Sequence, residues 1–143
     1  MTRALSILTL CVALAACGQE KRADAVKRQT EPNPRSIGMI DIPANNAVVD
    51  MPVRVSGWAV DESGVTGVRI YFDDELMVTA PIVSKRPDVE KVYPQFATPG
   101  AVHGFEALID PGSHAGYTVI RAVAIDGKGA QTDIFSVTVR IRE

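Results

Sequence analysis

Residues 132–142 read TDIFSVTVRIR, and in them Phe135, Val137, Val139 and Ile141 alternate with Ser136, Thr138 and Arg140. Side chains of an extended chain point to opposite faces in turn, so a period of two marks a strand with one face in a core and the other in water. Just upstream, YTVIRAVAID (117–126) is a second run rich in β-branched residues, and Gly127 and Gly129 separate the two. Glycines between two such runs predict a turn and an antiparallel pair.

Five more runs precede these. GMIDI (38–42) stops at Pro43 and the Asn45-Asn46 turn. VRVSGWAV (53–60) sets Val53 and Val55 on one face, with Arg54 and Ser56 on the other. VTGVRIYFD (65–73) places Val68, Ile70 and Phe72 inward, with Arg69 and Tyr71 outward. ELMVTA (75–80) is entered through Asp73-Asp74, and GFEALID (104–110) ends at Pro111-Gly112. From Ile37 onward no apolar pattern of period 3.6 lasts three turns. The expectation is an all-β fold: an immunoglobulin-like β-sandwich of about seven strands over residues 37–143.

Several fragments occur in a familiar order: DIPANNAVV, VSGWAVDESGV, VRIYFDD, RPDV, YP, GF, PGSH and AIDGKG. Together they resemble the bacterial immunoglobulin-like modules of envelope and secreted proteins. Asp74 departs from that pattern, standing where such modules carry a hairpin glycine. The resemblance implies a non-catalytic spacer, adhesive or ligand-presenting unit. It supplies no catalytic or cofactor residue to carry over, so the expectation is that the protein is not an enzyme and needs no cofactor.

The N-terminus reads differently. Arg3 precedes an uncharged, mostly apolar stretch from Ala4 to Ala16. As a helix that stretch is about 20 Å long, short of the roughly 30 Å hydrocarbon core, so it reads as a signal peptide over residues 1–16. The chain has two cysteines, Cys11 and Cys17. Leu14-Ala15-Ala16-Cys17 resembles the bacterial lipobox, which implies cleavage before Cys17, a diacylglyceryl thioether on its sulfur and an acyl chain such as palmitate on its new amino group. Two or three chains anchor stably where one does not. Gly18 follows in place of the aspartate of an inner-membrane signal, so the outer membrane of the cell envelope is the expected address. Cys11 leaves with the leader, and Cys17 is capped. Neither is then left for a disulfide, a metal or catalysis.

Residues 17–36 are polar, carry Pro32 and Pro34, and read as a lipidated cysteine with a flexible tether. Residues 18–36 have five basic against three acidic residues, and residues 37–143 have nine against fourteen. A body of net charge −5 is repelled by nucleic acid.

Few residues carry chemistry. The connection from Pro81 to His103 is the longest, and connections of that length are functional or packed on themselves. Arg86, Asp88, Tyr93 and Phe96 are its candidate binding residues. Arg86 and Asp88 pair while Tyr93 and Phe96 either tuck against the sheet or stack on a sugar ring or peptide. Trp58, the only tryptophan, reads as a core or semi-buried anchor. Asp61, Glu62 and Asp126 fall in loops that this topology gathers at one end, where they make turns or, alternatively, bind calcium. His103 and His114 lack zinc-spaced partners and read as turn or strand-end residues. The expected partners are the membrane, through Cys17, and an envelope protein or glycan. The alternative role is a structural spacer or assembly factor of an envelope complex.

Overall fold

A computed structural model describes residues 33–142, so the signal peptide, Cys11, Cys17 and nearly all of the tether lie outside the described residues. The seven expected strands are present. They are β1 (Ile37–Ile42), β3 (Val53–Val60), β4 (Val65–Phe72), β5 (Glu75–Ala80), β7 (Gly104–Ile109), β8 (Gly116–Asp126) and β9 (Gln131–Ile141). Two short strands join them, β2 (Val48–Val49) and β6 (Ile82–Ser84), and a helix α1 spans Pro87–Val92. One sheet has the order β1-β3-β7-β6 and the other β2-β9-β8-β4-β5. These are the two layers of a β-sandwich. No helix among the described residues is long and apolar enough to cross a membrane.

The core lies between the layers, built from the alternate positions the sequence marks. Val53, Val55, Phe105 and Ile109 come from the first sheet, and Val68, Ile70, Phe72, Ile120 and Val139 from the second. All are at most 5 % exposed. Gly57 sits on the inner face of β3, where a Cβ would lie 2.0 Å from the Met39 carbonyl oxygen and 2.8 Å from the Phe105 ring. Only glycine lets β1 and that ring approach so closely.

Asn45 and Asn46 turn the chain from the first sheet to the second. The Thr138 N–H donates to Asn45 Oδ1 at 2.9 Å, and the Asn46 N–H donates to the Thr138 carbonyl at 2.7 Å. At the β4–β5 hairpin, where Asp74 stands in the place of a glycine, it is the preceding Asp73 that takes φ +52°. Aspartate tolerates that left-handed conformation better than most residues, and Asp73 Oδ1 also accepts the Val119 N–H at 3.0 Å.

Two expectations are corrected. The connection 81–103 contains a strand and a helix. A six-residue helix is too short to show a period, although Pro87 at its first turn, Asp88 and Glu90 near its start and Lys91 near its end are legible start and stop signals. The last strand also does not keep one phase. Ala122 pairs with Phe135 while Val123 pairs with Asp133, leaving Ile134 as an extra, unpaired residue. Such a bulge interrupts the alternation. Ile134 packs against the core, and Phe135 is 37 % exposed.

Phe105→Ala should therefore lower stability by about 3–5 kcal/mol, whereas Phe135→Ala should cost less than about 1 kcal/mol. Urea unfolding of both variants checks this. Equal losses would refute the exposed placement of Phe135.

Candidate binding surface

Arg86, Asp88, Tyr93 and Phe96, the candidates of the long connection, come together as a flap on the outer face of the first sheet. That face carries Trp58, which pairs across β1 with Met39 and across β7 with Gly104. Arg86 crosses it. Its Nη1 donates to Asp41 Oδ2 at 2.7 Å, while Nη2 and Nε donate to the two oxygens of Asp88 at 2.6 and 2.9 Å. Asp41 is the residue that the register of β1 skips between Ile40 and Ile42. The bulge re-aims its carboxylate at the flap.

The Arg86 stem passes over Gly104, where a Cβ would lie 3.3 Å from Arg86 Cγ and 2.8 Å from Ser84 Cβ. A planar guanidinium held by two carboxylates, one of them bidentate, is a stronger tie than an isolated surface pair. It raises the Arg86 pKa further through the Asp88 hydrogen bonds, and the same bonds pull the Asp88 carboxyl down to about 2.

Beyond Arg86, α1 buries Val89 and ends at Tyr93. Tyr93 sits on Trp58, ring centroids 5.7 Å apart at 45°, and Phe96 follows in a short 3-10 turn, 6.4 Å from Tyr93. The tryptophan is thus half-buried on the outer face, under the flap, rather than between the sheets. Tyr93 and Phe96 remain half-buried as well.

A cleft of about 330 Å³ opens between the end of the flap, from Gln95 to His103, and the turn joining β3 to β4. Asp61 in that turn is buried. Its Oδ1 accepts from the Ser63 N–H and hydroxyl at 2.8 and 2.7 Å, and its Oδ2 from the Ser36 hydroxyl at 3.0 Å. Asp126 Oδ1 accepts from the Lys128 and Ala130 N–H groups at 2.8 and 2.9 Å. The two turns do meet, since the Gly127 N–H lies 2.9 Å from the Gly64 carbonyl. Glu62 is exposed and lines the cleft. Among the described residues no cluster of three or more His, Cys, Asp or Glu side chains is arranged to hold a metal ion.

The histidines differ. His103 is buried, with Nε2 3.4 Å from Glu90 Oε1 and without a hydrogen-bond partner. His114 joins the turn after β7 to the β4–β5 hairpin, with Nε2 2.9 Å from Glu75 Oε2 and Nδ1 3.3 Å from Asp73 Oδ2. Only the imidazolium has two N–H groups to give both carboxylates. The Glu75 hydrogen bond above all, aided by Asp73, raises the His114 pKa above 6.5 against an opposing desolvation.

Three outcomes follow from these ties. Arg86→Gln should lower stability by about 1–3 kcal/mol and speed amide exchange over residues 87–96 more than in β8. Uniform exchange across both regions would refute the tie. Because His114 has a raised folded-state pKa, its contribution is present below the unfolded value near 6.5 and is lost as pH rises through the folded value. Wild-type Tm should fall across that window, and the fall should shrink in Glu75→Gln. The depressed Asp88 pKa acts in the opposite direction, its contribution disappearing as pH drops from about 3.8 to about 2.

Comparison with known proteins gives a family match over residues 39–87, to the model described as "Bacterial Ig domain". No curated protein matches the chain. Among solved structures, the chain is similar to the fibronectin(III)-like modules of Clostridium thermocellum CbhA, with 15% identity, a TM-score of 0.45, and 74% of this chain and 96% of that chain covered. It is also similar to an endo-beta-1,4-mannanase from Thermotoga petrophila, with 12% identity, a TM-score of 0.48, and 86% of this chain but 23% of that chain covered. The chain is thus an immunoglobulin-like β-sandwich that is similar to the bacterial Ig domain from Met39 in β1 to Pro87 at the start of α1.

Proposed function

We propose that this protein is an envelope lipoprotein, anchored in the outer membrane by acyl chains on Cys17, whose sandwich is a non-catalytic binding module for an envelope protein or glycan. The reading of the anchor rests on Leu14-Ala15-Ala16-Cys17 and the polar tether that follows. The reading of the module rests on one observation: the flap is pre-organised. Arg86 is strapped to Asp41 and Asp88, and Tyr93 is seated on Trp58, so Phe96 and the outward side of α1 are presented on a rigid base. Side chains held in place before binding lose less entropy when a partner arrives.

Burial of Val89 beneath α1 favours a second reading, in which the flap merely seals the sheet and the protein is a spacer or assembly factor. The two readings diverge experimentally. In a pull-down from envelope extract, the binding module should recover a partner whose retention drops on Phe96→Ala and Tyr93→Ala. A spacer keeps its function without the flap tip but loses it without the anchor.

Mass spectrometry of the mature wild-type protein should show acylation at Cys17, absent in Cys17→Ser. An unprocessed, unlipidated wild type would overturn the anchor. Turnover in a hydrolase screen, abolished by changing His103 or His114, would overturn the non-catalytic assignment.

A further inference from the structure

Several charged side chains of this domain are spent on one another. Arg54 meets Glu106 at 2.7 Å, Arg121 meets Asp133 at 2.7 Å, and Arg142 meets both oxygens of Asp50 at 2.7 and 2.8 Å. The cleft beside the flap is different. Glu62, Gln95 and Thr98 line it, and their side chains make no hydrogen bond or ion pair with another described residue. Phe96 forms part of its wall and Val60 adds apolar surface. A carboxylate, an amide and a hydroxyl are therefore left unspent around a phenyl ring, in a cavity of about 330 Å³. That volume lies at the lower end of the roughly 300–1,000 Å³ range of small-molecule sites.

We propose that this cleft is a sugar-binding site that takes one neutral ring of a glycan. The inference rests on the reading of the protein as a binding module and names its ligand class. A pyranose has an apolar face of C–H groups for the Phe96 ring and an edge of hydroxyls. Those hydroxyls donate to the Glu62 carboxylate and both donate to and accept from Gln95 and Thr98. Neither lysine nor arginine lines the cleft, so an acidic sugar or a phosphate meets Glu62 without a counter-charge. A cationic side chain uses acceptors only and leaves the Gln95 N–H donors without a partner.

The base of the site is firm. The β3–β4 turn is held by Asp61 to Ser36 and Ser63, and it is braced against the β8–β9 turn, where a Cβ on Gly127 would lie 2.1 Å from the Ser63 carbonyl oxygen. The other wall is the end of the flap, anchored through Tyr93 and Arg86. A weak ligand needs such a wall, since disorder on either side would consume its small binding free energy.

The test is saturation-transfer NMR on the full chain in micelles, with methyl β-glucoside and N-acetylglucosamine as probes. Saturation should concentrate on the C–H protons of one ring face of at least one sugar. Phe96→Ala should abolish it, and Glu62→Gln should weaken affinity roughly three- to tenfold, the effect of exchanging a hydrogen bond to a charged group for one to a neutral group. Glu62 is exposed, so that variant keeps the fold. Tyr117→Ala, on the outer face of the second sheet and 80 % exposed, should change nothing. No saturation with either sugar, saturation indifferent to both cleft variants, or binding of lysine methyl ester in their place would overturn the sugar site. An envelope partner that still depends on Phe96 while neither sugar binds would overturn the sugar site and leave the binding module standing.

Discussion

The described domain closes on the mating of two apolar sheet faces and on nothing covalent. Both cysteines of the chain precede it, at positions 11 and 17, so no disulfide joins β3 to β8 across the sandwich. Phe105 and Val55 from one layer must fill the space against Ile70, Phe72, Ile120 and Val139 from the other. Interiors pack at close to crystal density, and a missing or added methylene is felt there. Gly57 shows the same demand from the side of size: β1 and the Phe105 ring come so near β3 that any side chain at that position displaces one of them.

Given that closure, the outer face of the first sheet becomes a platform. The bulge in β1 turns Asp41 outward, Gly104 leaves room for the Arg86 stem, and Trp58 offers a ring for Tyr93. Each piece comes from a different strand. The flap is an addition to the sandwich whose place depends on a register already set by the core, and its charged strap works because Arg86 is largely shielded by the groups it holds. The cleft beyond it exists because the flap stops short of the β3–β4 turn.

Val68-Arg69-Ile70-Tyr71-Phe72 reads as a strand because each side chain has one of two environments, and the structure buries Val68, Ile70 and Phe72 as that alternation requires. Phe135 departs from the rule beside a bulge: it pairs with the buried Ala122 yet is 37 % exposed, while the bulged Ile134 packs against the core. A bulge is set by how two strands twist against each other, which no run of one strand records. Helix α1 was hidden by its brevity, although its proline and its charges were in view. Arg86, Asp88, Tyr93 and Phe96 were legible as a group by their place in a long connection. Trp58 and Asp41, which receive them, were not, since they stand 35 and 45 positions before the residues they meet. The cleft residues Gln95 and Thr98 carried no signal at all.

Local chemistry sets the seven long strands, most of their inner faces, the turns at Asn45-Asn46 and Gly127, and the lipobox-like Leu14-Ala15-Ala16-Cys17. These are local: steric alternation, left-handed backbone and a short peptide motif depend on neighbouring residues alone. Tertiary structure decided which sheet each strand joins, that Asp41 faces Arg86, that the only tryptophan lies outside the core, and that unpaired polar groups converge beside Phe96. Those outcomes depend on register and on close packing between distant segments, and a chain read residue by residue does not contain the distances that set them.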